Sequence, residues 1–228
     1  MSVSKRCLAD IAELQKEIYT SQGIYYSIDD KNANKGYACI FGPEGTPYED
    51  CPMLYYFLVP STYPFDPPIV RFQTCDGLTR FHPNMYVDGK VCLSILHTWE
   101  GPKWASTMRL STVLITIQSL MDTQPLRHEP GYATEIGQKG KDYATFVESR
   151  CIQYILDCAE KKTTTMALDP FYQIFEARLP KTLERLQFRL EKLVEGGEKN
   201  YHSLPYNMFG KTEYGKSLER LKNLLLKN

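Results

Sequence analysis

One cysteine in this 228-residue chain stands in company that suggests chemistry. Cys92 closes the run Arg80-Phe81-His82-Pro83-Asn84-Met85-Tyr86-Val87-Asp88-Gly89-Lys90-Val91 and leads into Leu93-Ser94-Ile95-Leu96. A thiolate that attacks a carbonyl leaves negative charge on the oxygen, and a side-chain amide held beside the nucleophile stabilises that charge. Asn84 is the candidate donor. The other six cysteines, Cys7, Cys39, Cys51, Cys75, Cys151 and Cys158, carry no such neighbours and read as small buried hydrophobes. An odd cysteine count without a C-x-x-C pair indicates neither a disulfide framework nor a zinc site, and suits a reducing compartment. His82 has no ligand partners at metal spacing and reads as structural, so no metal is expected.

These residues need elements to position them. Cys7, Ile11, Leu14 and Ile18 alternate in steps of four and three, which predicts an amphipathic helix over the first twenty residues. Four strand candidates follow, Ile24–Ile28, Tyr37–Phe41, Met53–Val59 and Ile69–Phe72, separated by clusters of Gly, Pro and Asp. Short connections predict an antiparallel meander, and the third run, apolar on both parities, reads as a central strand covered on both faces. Leu110, Val113, Leu114, Ile117, Leu120 and Met121 form the stripe of a helix that packs on the sheet. A further helix is expected over Lys141–Cys158. Leu179, Leu183, Leu186, Leu190 and Leu193 then repeat as heptads up to Gly196-Gly197, which predicts a helix folded back on its own domain, with a partner-binding helix as the lesser alternative. Leu218–Leu226 closes the chain as a short helix, and the polar run Lys161–Thr165 reads as a linker.

Length allows one medium domain with an appendage, or two small domains. Zero formal net charge argues against a nucleic-acid binder driven by phosphate contacts. Residues 176–228 carry eleven Lys and Arg against seven Asp and Glu, a mild polarity that reads as a solvated face. Met1–Arg6 lacks the apolar core of a signal peptide and no segment approaches a membrane span, so a cytosolic or nuclear protein without membrane partners is expected.

His82-Pro83-Asn84 followed by Gly89-x-x-Cys92-Leu93 resembles the core of the ubiquitin-conjugating enzymes. Gly42-Pro43-Glu44-Gly45-Thr46-Pro47-Tyr48-Glu49 and Tyr63-Pro64-Phe65-Asp66-Pro67-Pro68 resemble the family's two loop motifs, in family order. Thr98-Trp99-x-Gly101, Trp104 and Glu129-Pro130-Gly131-Tyr132 resemble the subgroup that contains enzyme Z and the catalytic domains of giant conjugating proteins. The resemblance implies an α+β, UBC-like fold: N-terminal helix, four-stranded antiparallel meander, catalytic loop and following helices. It places the conjugating domain at 1–160 and a helical C-terminal extension at 161–228.

By that resemblance, an activating enzyme, which consumes ATP upstream, hands the C-terminal Gly of ubiquitin or a ubiquitin-like modifier to Cys92. The resulting thioester is attacked by a substrate lysine or passed on through a ligase, with no bound cofactor. His82 and Pro83 support the turn. Lys5 and Arg6 are candidates for meeting the activating enzyme, and Phe65 with Trp99 or Pro102 for meeting a ligase. Phe65 reads equally as core, and the tryptophans as anchors of a loop longer than the family's common form.

The chain also departs from the family pattern. Ser94 stands where many members have Asp, and Tyr48-Glu49-Asp50-Cys51 replaces a Tyr-x-Gly-Gly turn, which suggests a different backbone shape there. Leu126-Arg127-His128-Glu129-Pro130 replaces an acidic pair before Pro, so His128 and Glu129 inherit the preparation of the incoming amine. Two rival readings remain open: a catalytically silent variant acting as a binding module, and a cysteine hydrolase pairing Cys92 with His82 or His128.

Overall fold

The computed structural model describes residues 4–162 and 167–226. Ser4 caps the first helix, α1 (Lys5–Leu14), its side chain accepting from the Cys7 amide at 3.1 Å. The helix is shorter than the apolar spacing predicts. The Gln15 side chain donates to the Tyr26 carbonyl at 3.0 Å, and the chain turns into the one-turn helix α2 (Glu17–Thr20). Ile18 therefore leaves the buried stripe and is 62% exposed.

Strands β1 (Ile24–Asp29), β2 (Asn32–Phe41), β3 (Pro52–Leu58) and β4 (Ile69–Phe72) form one antiparallel meander in sequence order. In β3, an interior strand of the sheet, Met53, Leu54, Tyr55 and Phe57 are all buried, as expected of a strand covered on both faces. Helix α3 (Leu110–Leu120) buries Leu110, Val113, Leu114 and Ile117, and α4 (Gln138–Ala159) buries Tyr143, Val147, Tyr154, Ile155 and Cys158. Helix α5 (Tyr172–Glu195) turns Leu183, Leu186 and Leu190 inward. A two-stranded ribbon, β5 (Asn200–Tyr201) with β6 (Gly210–Lys211), and α6 (Tyr214–Leu225) complete the chain. Of the expected linker, residues 163–165 lie outside the described residues, as do Met1, Ser2 and Val3.

The heptad leucines of α5 thus serve intramolecular packing. On its polar side, Arg185 grips Asp50 through both nitrogens, Nε at 3.0 Å, and Arg189 donates to Glu148 of α4 at 2.9 Å. Asp50 occupies a glycine place in the family's turn motif and keeps a left-handed backbone, φ +61°. Aspartate tolerates that region better than most residues, and the arginine fork holds it there. The turn after Pro47 therefore does not lose the left-handed geometry that glycine would supply.

One expectation about a single residue, the burial of Cys75, is corrected. Arg6 donates to Asp10 at 2.9 Å and to the Met108 carbonyl at 2.8 Å, tying α1 to the approach of α3. Asp10 itself is fully buried, bonded also to Tyr63, a charge the apolar pattern of the helix conceals. Cys75 is exposed, since the loop after β4 turns outward, whereas Cys7, Cys39, Cys51, Cys151 and Cys158 are buried. Burial pushes the Cys7 thiol up to about 11, with the Asp10 charge adding to the effect.

Arg220 of α6 clamps the end of α4, with Nε to Glu160 at 3.0 Å, Nη2 to the other Glu160 oxygen at 2.9 Å, and a further bond to Asp157. The Arg220 hydrogen bond brings the Glu160 carboxyl down to about 2, with Lys162 assisting and burial opposing. A depressed folded pKa means that the clamp stabilises fully above the ordinary value of 4.5 and fades as pH falls toward 2. Arg220→Met is expected to lower the unfolding free energy by about 1–3 kcal/mol at pH 7. In denaturant titrations the gap to the parent should narrow steadily below pH 4.5.

Candidate active site

The segment that carries Cys92 is sewn to the edge of the sheet. Phe72 at the end of β4 donates to the Gly89 carbonyl at 2.8 Å, and Gly89 turns at φ +85°. A Cβ there would approach the Phe72 carbonyl oxygen at 2.9 Å, so both the conformation and the space call for glycine. Tyr86 and Lys90 close the turn with a 2.9 Å bond, and the Cys92 amide donates to the Asn84 carbonyl at 2.8 Å. Behind Cys92, the Thr98 hydroxyl accepts from the Leu93 amide at 2.9 Å and lies 2.7 Å from the Val91 carbonyl. One side chain therefore holds the backbone on both sides of Cys92.

Asn84 is placed by the same turn. Its amide nitrogen Nδ2 donates to the Cys92 carbonyl at 2.6 Å, while Oδ1 is buried with no partner among the described residues. A carboxamide nitrogen carries two hydrogens, so one bond fixes the group on the Cys92 backbone and the second hydrogen remains to be given. The Asn84 backbone N–H donates to His82 Nδ1 at 3.0 Å. His82 is fully buried; burial first, then the positive potentials of His128 and Arg80, hold it neutral well below the ordinary histidine range, against the Leu120 carbonyl. A neutral imidazole whose Nδ1 is accepting holds the turn and has no lone pair left there for proton transfer. Pro83 contributes its carbonyl to Arg80.

Cys92 lines a narrow crevice and is 2% exposed. Pro83, Asn84, Tyr86, Trp99, His128, Glu129 and Pro130 line it as well. Both residues expected to handle the amine are thus brought to the crevice of Cys92 by the short 3₁₀ turn Pro125–His128 and the residues after it. His128 Nε2 meets Asp122 Oδ2 at 2.9 Å, and its ring stands 5.1 Å from that of His82. Glu129 Oε2 accepts from the Tyr206 hydroxyl at 2.7 Å.

Three participants escape a reading of the sequence. Asp122 follows a helix end with only an ordinary loop composition around it. Tyr206 comes from the C-terminal extension, far along the chain. Arg80 opens the motif, yet nothing local reveals that its guanidinium lies 3.2 Å over the Tyr86 ring and 4.7 Å from the Tyr206 ring. Among the partner candidates, Phe65 is not core but 79% exposed, and Pro102 and Trp99 are exposed on the adjoining loop. Trp104 is the anchor: it is buried, and its Nε1–H donates to the Pro64 carbonyl at 2.7 Å. Lys5 is exposed. Among the described residues, no His, Cys, Asp and Glu cluster is arranged to hold a metal ion, and no helix is long and apolar enough to cross a membrane.

The family model described as ubiquitin-conjugating enzyme matches residues 6–151, which contain the meander, the turn and Cys92. The chain belongs to the ubiquitin-conjugating enzyme family. It is similar to ubiquitin-conjugating enzyme E2 Z of Xenopus tropicalis, 45% identical over 131 residues, covering 57% of this chain and 41% of that protein. E2 Z of Homo sapiens is 44% identical over the same length, covering 57% and 36%. The chain thus spans about two-fifths of the length of these relatives. A probable ubiquitin-conjugating enzyme E2 of Acanthamoeba polyphaga mimivirus, 30% identical over 220 residues, matches 92% of this chain and 15% of its own. The solved E2 domain of a Toxoplasma gondii ubiquitin conjugating enzyme superposes with a TM-score of 0.51 at 24% identity, over 65% of this chain and 95% of that one, and shows the shared fold. The UBC fold expected from the motifs is therefore the fold of this family member, with a helical extension after it.

Proposed function

We propose that this family member is a working acyl-transfer enzyme. Cys92 accepts the C-terminal Gly of ubiquitin or a ubiquitin-like modifier from an activating enzyme as a thioester, then yields it to a substrate lysine or to a ligase-bound acceptor. The observation that carries this reading is the placement of Cys92 in the crevice with the Asn84 amide bonded to its own carbonyl. A narrow crevice suits a chain end without a Cβ. The amide suits the oxyanion that forms when the thiolate adds to the modifier's carbonyl and again when an amine displaces it.

Against the hydrolase reading, no histidine among the described residues hydrogen-bonds Cys92: His82 is neutral and engaged with Asn84, and His128 faces Asp122. Against the silent-module reading stands Cys92 itself. An incoming lysine, with a reference pKa of ~10.4, arrives protonated and must shed its proton. Glu129 and the His128–Asp122 pair are the groups in reach of that task.

The same proposal assigns residues 1–160 to the catalytic domain and 161–228 to the extension, with ATP used upstream and no cofactor bound here. It gives the exposed Phe65, Trp99 and Pro102 to a ligase and the exposed Lys5 to the activating enzyme, Arg6 being held within the fold. A cytosolic or nuclear setting keeps the thiol reduced. The test is a charging assay with ATP, a panel of activating enzymes and their modifiers, resolved with and without reductant. A reductant-sensitive adduct with ubiquitin is expected. Absence of any adduct across all pairs would leave the binding-module reading in its place.

A further inference from the structure

We propose that Tyr206, supplied by the C-terminal extension, is a positioning residue for Glu129 in the step that empties the thioester. The proposal rests on the acyl-transfer reading above and adds to it the residue that holds the proton acceptor.

Tyr206 meets the crevice in two ways. Its hydroxyl donates to Glu129 Oε2, leaving the second carboxylate oxygen without a protein partner among the described residues. Its ring forms one side of a sandwich in which the Arg80 guanidinium lies between Tyr206 and Tyr86. Arg80 in turn donates to the carbonyls of His82 and Pro83, the first two residues of the turn that presents Asn84. Glu129 and the turn that carries Asn84 are therefore joined through Tyr206 and the Arg80 guanidinium against its ring.

The backbone around Tyr206 is shaped for this placement. Tyr206 and Asn207 are consecutive non-glycine residues with left-handed backbones, at φ +65° and +58°. Such conformations persist where surrounding contacts over-determine them, and they concentrate at functional sites. Three contacts do so here: the Leu204 amide donates to the Met208 carbonyl at 2.8 Å, the Arg80 amide points to Met208 Sδ at 3.2 Å, and the Tyr143 ring stands 5.9 Å from that of Tyr206. Gly210 lets the ribbon lie against α4, where a Cβ would meet Arg150 at 2.8 Å. Burial first, and then the bond to Glu129, push the phenol above its ordinary range, so it stays a donor at neutral pH.

In the step itself the acceptor ammonium first gives one proton to water. Its nitrogen then attacks the thioester carbonyl carbon, a C–N bond forms, the C–S bond breaks, and Cys92 leaves as thiolate. The surplus proton on nitrogen passes to the Glu129 oxygen that Tyr206 does not hold. A carboxylate on a loop has rotamer freedom, and fixing one oxygen aims the other.

Tyr206→Phe removes the hydroxyl and keeps the ring over Arg80. The full chain, charged by the activating enzyme that loads it, is followed as it discharges to free lysine over a range of lysine concentrations. Charging is expected to proceed as in the parent, while the maximal discharge rate falls roughly tenfold, the factor one charge-assisted hydrogen bond supplies, at an unchanged half-saturating lysine concentration. Glu129→Gln should slow discharge at least as much, and adding Tyr206→Phe to it should cost nothing further. Parental discharge by Tyr206→Phe overturns the proposal, and so does an equal loss on the Glu129→Gln background, which would mean that the phenol acts elsewhere. Parental discharge by Glu129→Gln also overturns it and passes the proton to His128. If Tyr206→Phe melts below the assay temperature, Glu129→Asp, which withdraws the carboxylate from the phenol, takes its place in the same discharge assay: a roughly tenfold slower maximal rate is expected, and a parental rate overturns the proposal. Failure of the parent to charge at all brings down the acyl-transfer reading, a result distinguishable from a discharge defect.

Discussion

Cys92→Ala abolishes every covalent adduct with modifier, and Cys92→Ser converts the adduct into one that survives reductant. The expectation follows from the surroundings of the side chain. The other five buried cysteines lie within the core, and Cys75, though exposed, lies in the loop that follows β4. Cys92 alone of the seven lines the crevice with Asn84, His128 and Glu129. Serine places a hydroxyl on the same backbone, held by the same Asn84 and Thr98 bonds, so the position of attack is kept while the nucleophile weakens. An oxyester forms slowly and is not opened by thiol exchange. Gel analysis with and without reductant reads both outcomes. An adduct in Cys92→Ala would move the chemistry to another residue.

Asn84→Ala is expected to slow discharge to free lysine by about 10²- to 10³-fold, the loss seen when one oxyanion donor is removed from an acyl-transfer site. Two roles meet in this residue, and the structure separates them by hydrogen count. One Nδ2 hydrogen is engaged with the Cys92 carbonyl, and the second is available to an oxygen developing next to the sulfur. Losing the first costs about 0.5–1.5 kcal/mol of stability, a shift of a few degrees in melting temperature. Losing the second costs rate. Asn84→Asp provides the contrast: a carboxylate facing the Cys92 carbonyl repels it, so this variant should melt lower than Asn84→Ala while discharging no faster. If discharge by Asn84→Ala stays within a few-fold of the parent at a temperature where both are folded, the amide only holds the turn. Single-turnover rates together with thermal melts make the distinction.

The electrostatics around the crevice also explain why the histidines divide their labour. His82 is shut away between the turn and Tyr48, where a charged imidazolium would lose its hydration and face His128 and Arg80. His128 stands at the rim, with a carboxylate partner in Asp122. The motif histidine therefore holds the Asn84 turn, and the loop histidine is the one that the proposed function offers to an acceptor.

The extension bears on the site as well as on stability. Arg185 and Arg189 of α5 bind the turn that follows Pro47 and helix α4, Arg220 of α6 clamps the end of α4, and Tyr206 reaches the crevice. An aspartate at a left-handed position in the turn and an arginine fork in α5 form a matched pair, which ties the departure from the family's glycines to the presence of these helices.

Much of this protein is written in short range. The four strands, the helix that follows Cys92 and the folded-back leucine helix come from apolar periodicity and turn residues, each a property of ten or twenty consecutive positions. Cys92 and Asn84 are eight residues apart and joined by one glycine turn, so their association needs no distant contact. Tertiary structure decided what remained. Whether Arg6 reaches outward or inward depended on Asp10 and the Met108 carbonyl, and whether Phe65 is core or surface depended on which way the loop left the sheet. Where α1 stops was set by the Tyr26 carbonyl on a strand. The pairing of His128 with Asp122, the hold of Tyr206 on Glu129 and the Arg80 sandwich join segments whose spacing along the chain carries no signal. Periodicity and turn chemistry are local and additive along a sequence, whereas a hydrogen bond between distant segments exists only once the whole chain has closed around it.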